Sequence, residues 1–173
     1  MQKLWCVSFN EFKNIAFENK WNEQVPNNIA IISINNSVNL ICDDECHICN
    51  GENVLNLNFD DADPMVFGLE EECEEIDKYT YKSKIDGLTY VTLQFFNEEM
   101  AKQSIEFIEN NIDKDFYIHC SAGVSRSQAF VRFIQNTYFE KTFETNPNNP
   151  CRFPNGYVLS KLNEIYRKQN NIF

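Results

Sequence analysis

A three-layer α/β domain, with a central, mostly parallel sheet flanked by helices, is the architecture that this sequence predicts. Three observations carry that expectation. Short, nearly continuous apolar runs such as IAIISI, Ile29 to Ile34, have the pattern of strands covered on both faces. Between such runs lie segments whose apolar residues recur at helical spacing. The chain has 173 residues, 43% of them hydrophobic, with only 5 Gly and 5 Pro, so it is long enough to bury a core and too poor in breakers to be disordered. No internal repeat or linker divides it, and a single domain over residues 1–173 is expected.

The elements follow in order. Lys3 to Phe9 alternates as an opening strand, and Asn10 is placed to cap a helix carrying Phe12, Ile15 and Ala16 on one face. Ile29 to Ile34 is the second strand. Val54 to Phe59, VLNLNF, alternates and runs into the acidic cluster DDADP. Asn97 is a natural N-cap, Glu98 and Glu99 suit a first helical turn, and Met100, Ser104, Phe107 and Ile108 form a stripe. Asp115 to Cys120, DFYIHC, is an interior strand. Ser127 to Phe139 reads as a helix with Ala129, Phe130, Phe133, Ile134 and Tyr138 inward. Gly156 to Lys168 closes the chain as a helix with Val158, Leu159, Leu162, Ile165 and Tyr166 on one side, and Asn155 as its cap. Two segments read as insertions on the rim of the sheet. Residues 35–53 form a polar loop, and residues 64–94 combine an acidic helical stretch with a hairpin turning at Asp86-Gly87.

Charge narrows the partners. The 26 Asp and Glu outnumber the 15 Lys and Arg, for a net charge of −11, which repels nucleic acid and anionic membranes unless a local basic pocket intervenes. The opening MQKLWCVSFNEF is too short and polar in its apolar part for a signal peptide, and no apolar run approaches spanning length. A cytoplasmic protein with reduced thiols is the expectation from the 7 Cys, an odd number.

The chemistry concentrates in FYIHCSAGVSRS, residues 116–127. A strand delivers Cys120 into a loop of small residues, and Arg126 opens the helix beyond. Small side chains at Ser121, Ala122 and Gly123 let backbone amides, continuing through Val124 and Ser125, converge on an anion. The helix dipole adds positive potential, and the planar fork of Arg126 grips two oxygens at once. That field also favours the thiolate of Cys120 over the thiol. Ser127 is placed to hydrogen-bond the sulfur, and His119 to orient the loop through hydrogen bonds rather than act as a base, since an ionised nucleophile needs none.

His119-Cys120-Ser121-Ala122-Gly123-Val124-Ser125-Arg126-Ser127 is similar to the signature of the cysteine-dependent protein tyrosine phosphatases, and its Ala-Gly-x-Ser-Arg-Ser form looks most like their compact dual-specificity branch. VLNLNFDDADP, FNEEMAKQSIEFI and FPNGYVLSKL extend the likeness toward small bacterial and phage tyrosine phosphatases, with Phe-Asp-Asp on the acid loop and Pro-Asn before the last helix. Residues 1–50 and 64–94 match no motif of that group. The resemblance implies hydrolysis of phosphomonoesters on a phosphoprotein or phosphopeptide, phosphotyrosine with some dual specificity, through a phosphocysteine and without a cofactor.

Such a reaction needs a group that protonates the leaving oxygen and then activates water. In the resembling family an Asp after a neighbouring strand does both. If Leu55, Leu57 and Phe59 point inward, alternation sends Asp61 to the same side, which favours Asp61, with Asp60 and Asp63 as alternatives. The absence of Lys from the loop argues against phosphoinositides, and the acidic surface against RNA 5′-triphosphates. Two other classes remain open: an inactive phospho-binding module, and a rhodanese-like sulfur transferase, which also uses a Cys in such a loop. Arg132 and Arg152 are further candidates for a phosphate contact. Cys42, Cys46, His47 and Cys49, with Cys73, offer a weaker metal constellation. Only Cys46-x-x-Cys49 has zinc spacing, so no metal is expected and a loop with spare thiols is the plainer reading.

Overall fold

The computed structural model describes residues 1–37, 51–69, 77–83 and 89–172. Its elements are β1 (Gln2–Ser8), α1 (Phe9–Glu18), β2 (Ile29–Asn35), β3 (Val54–Asn58), β4 (Lys78–Lys82), β5 (Tyr90–Gln94), α2 (Glu98–Asn111), β6 (Asp115–Cys120), α3 (Arg126–Thr137), β7 (Phe143–Thr145) and α4 (Gly156–Asn170). Five strands form the central sheet in the order β3-β2-β6-β1-β7, and each neighbouring pair is parallel. The predicted three-layer α/β architecture is the one observed. Among the described residues, no helix is long and apolar enough to cross a membrane.

The connections explain the layers. The chain leaves β1 and returns in β2 on the far side of β6, whereas it leaves β6 and returns in β7 on the far side of β1. Right-handed crossovers that run in opposite directions must place their helices on opposite faces. Accordingly, Phe12 and Ala16 of α1 pack with Val7, Ile31 and Tyr117 on one face. On the other face, residues of α2, α3 and α4 cover Leu4, Ile32, Phe116 and Ile118. The C-terminal ends of β6 and β1 therefore flank a switch point, the crevice in which parallel α/β sheets hold their ligands.

Most of the sequence reading maps onto these elements directly. β2 is buried along Ile29 to Ile34, as a strand covered on both faces must be. Asn97 caps α2 by accepting from the Met100 N–H at 2.9 Å, and Asn155 caps α4 by accepting from the Val158 N–H at 2.9 Å. Other details differ. Ser8, not Asn10, caps α1: its Oγ accepts from the Glu11 N–H at 3.2 Å, because the turn begins directly at the end of β1. Leu57 and Phe59 are buried as expected, while Leu55 is half-covered on the edge strand β3. Helix α3 stops at Thr137, so Phe139 lies beyond it and is exposed. The short edge strand β7 carries no alternation that sequence could reveal. β4 and β5 pair antiparallel, as the hairpin reading requires, and the ring of Phe67 sits against Tyr79 and Tyr81 of β4. The turn at Asp86-Gly87, the acidic stretch 70–76 and the thiol loop with Cys42, Cys46, His47, Cys49 and Cys73 lie outside the described residues. Among the described residues no cluster of His, Cys, Asp and Glu is arranged to hold a metal ion.

Aromatic packing ties the end of β3 to the helical layer. Phe59 meets Phe96 with ring centroids 4.9 Å apart, and Phe96 meets Phe130 of α3 edge-on at 5.8 Å. Each fully buried ring contributes about 1.5–3 kcal/mol through burial. The residue that opens the acidic cluster is therefore fixed in the core rather than carried on a loose loop.

Candidate active site

The site begins with strand register. Ser8 pairs with Cys120 across the β1–β6 seam, so the loop after β6 emerges directly over the turn from β1 into α1. The Phe9 N–H donates to the Ser121 carbonyl at 3.2 Å and closes that seam. Gly123 rests on the same turn with φ of 69°. A Cβ there would lie 2.6 Å from Ser8 N and from the Val7 carbonyl carbon, both backbone atoms that cannot yield. Only glycine satisfies both the left-handed torsion and the close approach.

β6 divides its side chains between the two faces. Cys120 faces the α2–α4 side, and His119 faces α1, where it stacks on Phe12 at 4.2 Å. Burial, aided by the charge of Arg126, pushes the His119 pKa down to about 3, so the imidazole is neutral. Its Nδ1 has no hydrogen-bond partner among the described residues. The expected role of His119 in orienting the loop by hydrogen bonds is thus replaced by ring packing beneath it. A stability consequence follows. Between pH 6.5 and 3 the unfolded chain binds a proton that the folded chain refuses, so stability falls with pH in that window. His119→Phe should remove about 2 kcal/mol of the loss between pH 6.5 and pH 5, seen as a urea midpoint less sensitive to acid than in wild type.

Cys120 is almost fully buried, which by itself would raise its pKa. The net shift is nevertheless downward. The Ser127 hydroxyl at 3.2 Å, the Ser127 and Gly123 backbone amides, and the nearby Arg126 charge all favour the thiolate. Cys6 of β1, also buried, behaves oppositely: burial pushes its thiol up to about 12, so it keeps its proton. Its Sγ lies 3.1 Å from the Ser127 Oγ and donates to the Gly123 carbonyl at 3.1 Å. The one Cys6 proton is spent on the Gly123 carbonyl, so the Ser127 hydroxyl has two sulfurs in reach, of which a Cys120 thiolate, being charged, is the stronger acceptor. Ser127→Ala should therefore move the pH dependence of Cys120 alkylation by iodoacetamide to higher pH, and an unmoved profile would remove Ser127 from this role.

Arg126 opens α3, and its side chain lies buried along the loop. Nη1 donates to the Phe59 carbonyl at 2.6 Å and the Asn35 carbonyl at 3.3 Å, and Nη2 donates to the Ser121 Oγ at 3.1 Å. The guanidinium also lies 5.8 Å over the Phe59 ring. Nε is buried with no partner among the described residues. A buried charged donor left unpaired is costly, and an anion or a water could supply the acceptor it lacks. Ser125 at the N-cap of α3 makes no side-chain capping bond, because its hydroxyl points elsewhere.

That hydroxyl donates to Asp61 Oδ1 at 2.8 Å, and the Asn155 Nδ2 donates to the same oxygen at 2.7 Å. Among the three acidic candidates, Asp61 alone is held against the loop. Asp60 accepts from the Ser37 hydroxyl and from the Ser37 and Gln94 amides at 3.3 and 2.9 Å, binding the ends of β2 and β5 together. Asp63 accepts from the Met65 N–H at 3.0 Å and starts the short 3-10 turn Pro64–Phe67. Arg132 is committed to the Cys151 carbonyl at 3.0 Å, and the Arg152 amide to Gln128 Oε1 at 2.9 Å. Cys6 and Asn149 join the loop across long stretches of chain and carry no signal in the sequence, whereas Gln128 sits five residues from Gly123 on α3 and no motif singles it out. Comparison with protein-family models, curated proteins and solved structures finds no match to this chain.

Proposed function

We propose that this domain hydrolyses phosphomonoesters on protein, phosphotyrosine above all, with phosphoserine and phosphothreonine in its range, through a phosphocysteine formed on Cys120. The observation that carries the reading is the buried Nε of Arg126, without a partner among the described residues, beside a helix start that the Ser125 side chain does not cap and a thiol whose pKa is lowered. An oxyanion would satisfy that donor and the loop amides together.

The chemistry runs in two displacements. The Cys120 thiolate attacks phosphorus, the P–S bond forms as the P–O bond to the leaving group breaks, and Asp61 passes its proton to the departing oxygen. Water then attacks phosphorus, Asp61 takes its proton, and the thiolate leaves with the Ser127 hydroxyl supporting its charge. Arg126 and the amides of residues 121–126 stabilise the equatorial oxygens in both steps. Neither sulfur transfer nor simple phosphate binding calls for a carboxylate fastened to the loop, so the Asp61–Ser125 bond favours hydrolysis over both. An aryl phosphate assay tests the proposal: wild type should turn over and be inhibited by vanadate, and Cys120→Ser should be inert. A wild-type protein without turnover would overturn it.

A further inference from the structure

The Gly123 carbonyl is surrounded by donors from three separate parts of the chain. Asn149 Nδ2 reaches it at 2.7 Å, Cys6 Sγ at 3.1 Å and Gln128 Nε2 at 3.3 Å. Gln128 is itself locked. Its Nε2 also donates to Asn149 Oδ1 at 3.1 Å, and its Oε1 accepts from the Arg152 and Phe153 amides at 2.9 and 2.8 Å. Asn149 is steadied further by donating to the Cys6 carbonyl at 3.2 Å. Cys6 and Gln128 are buried, so the Gly123 oxygen they bind points into the protein.

In a trans peptide the carbonyl and the following N–H point in opposite directions. Fastening the Gly123 oxygen toward the back of the loop therefore turns the Val124 N–H to the front. The φ of Gly123 does not set this orientation, since a flip of the peptide turns ψ of Gly123, which glycine tolerates, together with φ of Val124. A flip would turn a carbonyl oxygen toward the bound anion in place of a donor. We propose that Asn149 and Gln128 are positioning residues that, acting through the Gly123 carbonyl, hold the Val124 amide in place to receive a phosphate oxygen. The proposal rests on the reading of the loop as an oxyanion site.

Tungstate binding followed by calorimetry tests it, because stoichiometry counts competent molecules while Kd reports the geometry of the site. Asn149→Leu is expected to keep a stoichiometry near that of wild type and to weaken tungstate by roughly tenfold, the size of one hydrogen bond to a charged group. Gln128→Met should weaken it in the same direction. Asn146→Leu serves as the control: Asn146 donates to the Cys6 carbonyl at 3.2 Å but does not touch Gly123, so Kd should not change. Reduced stoichiometry or a lower melting temperature with an unchanged Kd in both test variants would make the residues merely structural and overturn the inference. The same holds if Asn146→Leu weakens tungstate as much as Asn149→Leu. Failure of wild type to bind tungstate would instead overturn the oxyanion-site reading itself.

Discussion

Arg126→Lys is expected to lower kcat/KM on an aryl phosphate by roughly a thousandfold, the scale of losing an oriented donor to a transferring phosphoryl group. The substitution keeps the charge and removes the fork. Nη1 and Nη2 hold the Phe59 and Asn35 carbonyls and the Ser121 hydroxyl, which leaves Nε and the accompanying edge of the guanidinium for the phosphate. A lysine ammonium gathers its donors on one atom and cannot serve the Phe59 carbonyl and two phosphate oxygens together. Part of the effect will appear as lost stability, about 1–3 kcal/mol for the structural hydrogen bonds. Rates should therefore be measured well below the melting temperature, with urea unfolding in parallel. Turnover close to wild type in the folded variant would show that charge alone suffices and would refute the bidentate grip.

The second large effect concerns Asp61. Asp61→Asn preserves an oxygen that can accept from Ser125 and Asn155, so the loop should remain in place, but it cannot give up a proton. Turnover of a poor leaving group such as an alkyl phosphate should fall by about 100-fold or more, the usual size of general-acid catalysis. An aryl phosphate with an acidic phenol leaves without protonation and should be affected far less. The contrast between leaving groups is the diagnostic. Asp60→Asn should instead cost stability, because its carboxylate joins Ser37 to Gln94. If the leaving-group contrast appeared in the Asp60 or Asp63 variant and not in Asp61→Asn, the acid would have to be reassigned.

Local patterns made much of this molecule readable. The covered strand Ile29 to Ile34, the Asn97 cap and the run from Cys120 to Arg126 are short-range features, each specified by residues a few positions apart. Alternation beyond Phe59 favours Asp61, and Asp61 is the carboxylate that accepts from Ser125. Long-range features were not legible. Nothing near Cys6 in sequence marks it as the neighbour of Ser127, 121 residues away, because that contact arises only when β1 and β6 pair. His119 shows the limit from the other direction. Its place beside Cys120 suggested a polar duty, whereas strand alternation sends it across the sheet onto Phe12. Asn155 is the helix cap its position predicts, and the family likeness hints at a place near the loop, but its bond to Asp61 arises only because α4 starts beside the acidic cluster.

The seating of Gly123 on Val7 and Ser8 has a consequence for how the chain acquires its chemistry. The floor of the loop is made by the first strand, its back by Asn149, and the latch on Asp61 by Asn155. Contacts this distant in sequence form late and slowly, since loop closure must precede them. During synthesis Cys120 would leave the ribosome after the strand that floors its loop but before Asn149 and Asn155, which complete its surroundings. Reactivity should therefore appear in one step, when the last helix docks, and a nascent or clipped chain ending before residue 149 should carry an ordinary, unreactive thiol at Cys120.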